Sequence, residues 1–397
     1  MRILLAWERG RGGGYARRLA ALAAGLAAAG HEPVLALRDP AQAAGLPEAA
    51  GVALRAAPFH ESPLRTPGDF VPDNLADLLA SGGFDDRDAL LRLVRRWMAL
   101  LDELRPALAV AEFAPALCLA ARGRCPVVQL GTGFTLPPAE GPWFPSYQVP
   151  RPPYVAQADI LAIVDDVLGE LGRPPLPGLA ALHADTLQLI HGLPQLDPFH
   201  GRRPASPCVR AIGPFLPLPA PEPPPATVLP FAYVDLAAPY APALLEAMAG
   251  LPWPAEAFVP RADEALLARF AGSGLLIHKA APPLHGMLAR ASHVVHAGGL
   301  ETAMAATALG RPQLLLPRNL PQYLIARVLI GSRIAVGSGP DRGTAGLRAA
   351  IEAFVGDPAR LAEAARAAAF VQGQGPFDGV GRAVAICRRL LAGRDPA

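Results

Sequence analysis

The residues with the clearest chemical potential lie in one run, HVVHAGGLET, from His293 to Thr302. Two valines between histidines read as a strand ending at His296, the glycines turn the chain, and an alanine-rich helix is expected from Thr302. Such a turn aims backbone N–H groups and the positive end of a helix dipole at one spot, which favours an anion such as pyrophosphate. Gly298 and Gly299 let the backbone approach it closely. Thr302 can cap the helix or donate to phosphate, and His296 adds a donor at the strand end. After Leu309-Gly310-Arg311-Pro312 another strand is expected, and the loop behind it, Pro317 to Gln322, carries Asn319 and Gln322. Both loops follow parallel strands, so both are expected to line one site. The glycine loop from Gly10 to Gly14 is a weaker signal. It lacks the lysine of a P-loop and the later acidic residue of a dinucleotide fingerprint, which argues against a nicotinamide oxidoreductase.

These loops need a parallel sheet behind them, and the sequence supplies the pattern twice. Ile3–Trp7, Val34–Leu37, Val52–Ala56, Ala107–Ala111 and Val127–Leu130 are short apolar runs. Between them stand helical stretches at 17–29, 88–104 and 115–122. Leu90, Leu91, Val94, Met98 and Leu101 recur near helical spacing. The alternation restarts at Val228 and includes strands Ala257–Val259, Leu275–His278, His293–His296 and Gln313–Leu316, with helices at 241–248, 263–270, 283–289 and 302–309 and a helical tail at 358–368 and 380–391. The division expected is an N-terminal domain, 1–213, a linker, 214–226, and a C-terminal domain, 227–397, with the last helix a candidate to return to the N-terminal domain. PFLPLPAPEPPP, from Pro214, holds seven prolines in twelve residues and marks the linker. The fold class expected is α/β, with two Rossmann-like domains facing across a cleft. A proline-rich stretch from Gly131 to Pro153, with Phe134, Trp143, Phe144 and Tyr147, cannot join a sheet. It can wall a pocket or merely cover the core.

Composition narrows the class further. The 397 residues carry a net charge of +2, with no long block of like charges, so a polyanion-binding protein is not indicated and no nucleic acid partner is expected. Lys279 is the only lysine, and the 46 prolines and 39 glycines fall short of a low-complexity composition. Four scattered cysteines without a C-x-x-C pair point to free thiols in a reducing cytoplasm and to no metal site. No apolar run is long enough to span a membrane.

At this point the C-terminal motif resembles the donor-binding signature of the UDP-glycosyltransferase superfamily, the family 1-like natural-product and macrolide enzymes of bacteria with the GT-B fold. That signature runs His-Gly-Gly-x-Gly-Thr, then Ala-Leu-x-x-Gly-x-Pro, then a proline and an acidic residue followed by Gln. Counting from Gly310 and Pro312, Thr302 falls on the family's Thr and Gln322 on its sugar-contacting Gln. His296 stands one residue early, which puts Ala297 where the phosphate His belongs, and Pro321 replaces the acidic residue. In the N-terminal half, Gly30-His31-Glu32-Pro33 is similar to the family's Gly-His-Glu-Val. Counting back from it, Tyr15, preceded by Gly14, falls on the family's catalytic His. The Asp that orients that His falls on Glu112. LGTGFTLPP, Leu130 to Pro138, is similar to bacterial members as well.

The resemblance implies transfer of a sugar, inverting and metal-independent, from a nucleotide-diphospho-sugar such as a UDP-sugar to a small lipophilic acceptor. The donor is a substrate, and no cofactor is implied. Donor contacts are expected from His296, Ala297, Gly298, Gly299, Thr302, Asn319 and Gln322. Acceptor contacts are expected from Gly13, Gly14, Phe134, Trp143 and Phe144. The base is open, because a tyrosine with a pKa of about 10 is a poor one at neutral pH. Glu112 could serve directly or through water, His60 or Glu8 could serve instead, or the protein binds a nucleotide sugar without efficient transfer. A sugar-nucleotide epimerase of the same fold is a further alternative. The donor sugar, the acceptor and the oligomeric state are not read from the sequence.

Overall fold

A computed structural model of the chain describes residues 1–10, 12–60, 70–149, 151–184, 186–280, 284–339 and 342–393. Pro150 in the aromatic loop and Pro283, the expected first residue of a helix, lie outside the described residues. The chain forms two compact units, Met1–Leu216 with Asp378–Ala397, and Pro217–Phe377.

The first unit contains β1 (Arg2–Trp7), α1 (Gly14–Ala28), β2 (Glu32–Leu37), β3 (Ala53–Ala56), α2 (Leu75–Leu79), α3 (Arg87–Leu104), β4 (Leu108–Glu112), α4 (Pro115–Ala121), β5 (Val127–Gly131), α5 (Gln157–Glu170), α6 (Ala181–Ala184), β6 (Leu187–His191) and β7 (Val209–Gly213). Its strands form one parallel sheet in the order β3-β2-β1-β4-β5-β6-β7. A parallel strand covered on both faces reads as a continuous apolar run, and β1 shows why. Leu4 and Ala6 enter a core built with α2 to α6, while Ile3, Leu5 and Trp7 enter the opposite core against α1. The strand order reverses between β1 and β4, and ligands of such sheets bind beyond the carboxyl ends of the strands at that reversal.

The second unit contains β8 (Pro230–Tyr233), α7 (Ala241–Ala249), β9 (Ala255–Phe258), α8 (Glu264–Phe270), β10 (Leu275–His278), α9 (Leu284–Arg290), β11 (His293–His296), α10 (Leu300–Ala308), β12 (Gln313–Leu315), α11 (Leu320–Gly331), β13 (Ala335–Gly337), α12 (Gly343–Val355) and α13 (Pro358–Gly373). Its parallel sheet runs β10-β9-β8-β11-β12-β13, reversing between β8 and β11.

The final helix, α14 (Gly379–Leu391), the candidate to return from 227–397 to the N-terminal domain, groups with the first unit. Its apolar side, Val380, Ala383, Val384 and Cys387, completes the core over α1, where Gly25 leaves room for Val384. The aromatic loop is held in place by two buried carboxylates at α2. Asp73 accepts from Ser146 Oγ at 2.5 Å, and Asp77 Oδ1 accepts from the backbone N–H groups of Tyr154 and Val155 at 2.8 and 3.1 Å.

Candidate functional site

In the second unit, the turn after β11 stands at the strand-order reversal. Leu300, not Thr302, opens α10, because Gly299 already occupies the cap position, and no side chain caps it. The first-turn N–H groups therefore lack intrahelical acceptors, and Thr302, expected to start the helix, sits in that turn with 8% exposure. Gly298 adopts φ +94°, and a β-carbon there would stand 3.0 Å from the Gln322 carbonyl oxygen. The loops after β11 and β12 thus touch, which brings Gly298, Gly299, Thr302 and Gln322 together. Ala297 is half-buried beside them.

The loop after β12 organises itself. Asn319 caps α11 by accepting from Gln322 N at 3.2 Å, and Gln322 Oε1 accepts from Arg318 N at 2.9 Å. Each amide oxygen is thus occupied, and each amide NH2 remains a donor. Pro321 fits because the first turn of a helix needs no N–H from it. Arg318 in turn holds Asp235, at 2.5 Å, and that hydrogen bond lowers the Asp235 pKa. Asp235, on the loop after β8, thus brings a carboxylate to Arg318 beside this loop, a contact the sequence pattern did not reveal.

His296 has partners on both ring nitrogens. Its Nδ1 accepts from Gly298 N at 3.1 Å, so the proton lies on Nε2, which donates to Gln313 Oε1 at 3.0 Å. Gln313 Nε2 donates to Thr307 Oγ1 at 3.0 Å, and Thr307 donates to the Ala303 carbonyl at 2.8 Å. Every member of this buried chain has a partner. Burial lowers the His296 pKa to about 4, so the ring is neutral, and both nitrogens are spent on shaping the glycine turn. Both His296 nitrogens are thus engaged with the glycine turn and with Gln313.

In the first unit, Tyr15 stands in the first turn of α1, stacked on Trp7 with ring centroids 5.1 Å apart and planes within 7°. Its hydroxyl lies over Gly10, and the Gly13 and Gly14 backbone beside it is exposed. Burial raises the Tyr15 pKa to about 12, with Arg18 and Arg9 opposing that shift and Glu112 adding to it. Among the described residues, no hydrogen bond joins Tyr15 to Glu112. Glu112, at the end of β4 and 1% exposed, is held by Arg18, whose Nε donates to Oε1 at 2.7 Å and whose Nη2 lies 2.5 Å from the same oxygen. The Arg18 guanidinium also lies 5.1 Å from the Tyr15 ring centre. Sequence reading missed Arg18. Its only trace was a position three residues after Tyr15, on the same helical face.

The other expected residues are dispersed. Glu8 faces away from Tyr15, buried on the far side of the sheet, where Oε2 accepts from Trp97 Nε1 at 2.9 Å and from Ala116 N at 3.2 Å. Burial raises its pKa to about 8. An unfolded Glu8 ionises near 4.5, so between about pH 4.5 and 8 the folded state binds more protons, and stability falls as pH rises through that window. Glu8→Gln keeps an acceptor for Trp97 and is expected to remove that slope, as read by thermal melts across the window. His60 lays its ring against Gly83. Phe134 is half-buried, 6.5 Å from the Phe113 ring, and Trp143 is 43% exposed. Phe144 corrects the sequence expectation. At 3% exposure it packs into the α5 core, with its backbone tied to Gln157, so it offers no face to an acceptor.

Among the described residues no helix is long and apolar enough to cross a membrane, and no cluster of three His, Cys, Asp or Glu side chains could hold a metal. No family model and no curated protein matches the chain. Solved structures do. The calicheamicin glycosyltransferase CalG4 is 21% identical with a TM-score of 0.69, over 99% of this chain and 98% of its own. A spinosyn rhamnosyltransferase complexed with thymidine diphosphate is 19% identical with a TM-score of 0.65, over 98% and 100%. The glycosyltransferase SnogD from Streptomyces nogalater is 20% identical with a TM-score of 0.62, over 98% and 99%. This chain shares their fold along nearly its whole length. It is α/β, two Rossmann-like units of the GT-B type.

Proposed function

We propose that this chain is a glycosyltransferase that moves a sugar from a nucleoside-diphospho-sugar to a small-molecule acceptor. The observation that carries the reading is the uncapped start of α10 behind the Gly298–Gly299 turn, packed against Gln322. Bare N–H groups and the helix dipole suit a diphosphate, and they stabilise it more strongly as it leaves with added negative charge. Asn319, Gln322 and Asp235 would then take sugar hydroxyls. The acceptor would lie against the first unit, near Gly13, Gly14, Tyr15 and Trp143. Inverting, metal-independent transfer fits a site in which helix-end electrostatics act on the leaving group. The fold neighbours act, by name, on natural products, and one is complexed with thymidine diphosphate, so thymidine and uridine nucleotides are the first donors to try.

Calorimetry with dTDP and UDP tests this directly. Saturable binding to the wild type is expected, and Gly298→Ala should weaken it about tenfold, ~1.4 kcal/mol, because a β-carbon at φ +94° and 3.0 Å from the Gln322 carbonyl oxygen shifts the turn that presents the N–H groups. No binding of either nucleotide at millimolar concentration would remove the reading. A second reading rests on the Glu112–Arg18 pair. With its carboxylate taken and Tyr15 in place of a histidine, the chain binds nucleotide sugars without transferring them. Nucleotide binding with no glycosylated product from any acceptor would favour it, and release of nucleoside diphosphate without product would favour an epimerase or hydrolase.

A further inference from the structure

The loop that leaves β1 carries a cation that no carboxylate balances among the described residues. Arg9 donates from Nη2 to Ser81 Oγ at 2.9 Å, and its Nε is buried without a partner. Its guanidinium lies flat on Gly82, where a β-carbon would fall 1.2 Å from Nη1, inside the wide turn Ala80–Phe84 that follows α2. Only glycine leaves that space. The Phe113 ring centre is 5.9 Å from Cζ, and Phe113 itself holds φ +47°, a strained conformation for a bulky residue, with its carbonyl accepting from Arg9 N at 3.0 Å. Glu8, Arg38 and Tyr15 are the ionisable groups that act on Arg9, and His60 stacks on the neighbouring Gly83. Burial raises the Glu8 pKa to about 8, which favours its neutral form and weakens its hold on the Arg9 charge.

Among the described residues the same region offers no carboxylate as a base: Arg18 holds Glu112, no hydrogen bond joins Tyr15 to a carboxylate, and Glu8 lies on the far face of the sheet, which leaves His60 as the one alternative to be tested. A neutral alcohol would need a proton removed there, whereas an oxygen that arrives ionised would not. Resting on the glycosyltransferase reading, we propose that the first unit selects acceptors whose reacting oxygen is already an anion on a planar ring system, a phenolate or an aromatic carboxylate, and that Arg9 binds and orients that oxyanion. The acceptor's proton goes to solvent before reaction. The oxyanion then forms the new bond to the anomeric carbon, and the sugar–phosphate C–O bond breaks with its electron pair leaving on the diphosphate.

The test is equilibrium binding of 4-nitrophenolate, benzoate and the neutral ether 4-nitroanisole to the intact protein, at a pH above the phenol's own ionisation and below that of Glu8. At least one anion is expected to bind about tenfold or more tightly than the ether. Whichever anion does so identifies the oxyanion class. Arg9→Met should collapse that preference to about twofold with the ether unchanged, and Arg9→Lys should keep part of it. Thermal melts establish that each variant is folded, and Arg9→Lys carries the test if Arg9→Met is not. Nucleoside diphosphate binding should be the same in all variants. The proposal is overturned if the ether binds as well as both anions, if Arg9→Met keeps the preference, or if neither anion binds while the nucleotide still does. It is equally overturned if benzyl alcohol is glycosylated as fast as 4-nitrophenol and His60→Ala abolishes that turnover, which would make His60 the base. Loss of nucleotide binding itself would instead remove the glycosyltransferase reading on which the proposal stands.

Discussion

Arg311→Met should lower the melting transition of the second unit by about 10 °C or more, a cost of roughly 4 kcal/mol at the ~3 °C per kcal/mol expected for a unit of this size. Arg311 is fully buried, and its guanidinium gives all five N–H groups to carbonyl oxygens. Nε donates to Leu288 at 3.1 Å, Nη1 to Glu222 and Leu309 at 2.8 Å each, and Nη2 to Ala289 at 2.9 Å and Pro223 at 3.3 Å. Leu288 and Ala289 lie in the last turn of α9, and Leu309 is the C-cap of α10, so the cation sits where two helix dipoles are negative. Glu222 and Pro223 belong to the proline-rich linker, whose carbonyls have few N–H donors within their own segment. Methionine fills part of the volume but leaves five carbonyls without their donor, and each orphan costs about 1–3 kcal/mol before relaxation. Arg311→Lys, with three donors on one nitrogen, should fall between the two. Calorimetric melts that resolve the second unit would check both variants, and an unchanged Arg311→Met transition would show that the linker carbonyls find other partners.

Arg18→Met should destabilise the first unit by ~3 kcal/mol, because it takes the Arg18 guanidinium away from the buried Glu112 carboxylate. Glu112→Gln in the same chain should recover most of that loss, since the charge to be desolvated is then gone. The measurement is denaturant unfolding of the two single variants and the double variant. If the double variant is as unstable as Arg18→Met alone, the cost lies in packing of the Arg18 stem against Tyr15 and not in the charge. Arg18→Met has a functional edge too. It removes the Arg18 hydrogen bond from Glu112, so any rise in turnover with neutral alcohols would mark Glu112 as a base that Arg18 holds in check.

The sequence exposes the architecture more readily than the machinery. Strands such as Val34–Leu37 and Val127–Leu130 are legible because a parallel strand covered on both faces must be apolar throughout. The glycine turn at 298–299 is legible because few other residues allow φ +94°. β7, with Arg210 in it, and the three-residue β13 carry too little apolar pattern to stand out. α11 hides behind Pro321, which looks like a loop residue but suits a first turn. In the site, what fails is the assignment of partners. Nothing local in the chain reveals that Arg18 reaches Glu112, 94 positions away, or that Gln313 and Thr307 consume His296. Motif spacing locates a side chain but does not say which neighbour claims its hydrogen bonds.

The placement of α14 has a consequence for synthesis. The first unit draws its residues from both ends of the chain, with the whole second unit inserted between Leu216 and Asp378. A ribosome therefore releases the seven-stranded sheet long before the helix that covers α1 exists. During that interval Leu19, Leu22 and Leu26 of α1 lie near an incompletely covered surface, while the second unit, continuous in sequence, can reach its native core first. The part of the chain translated earliest is thus the part completed last.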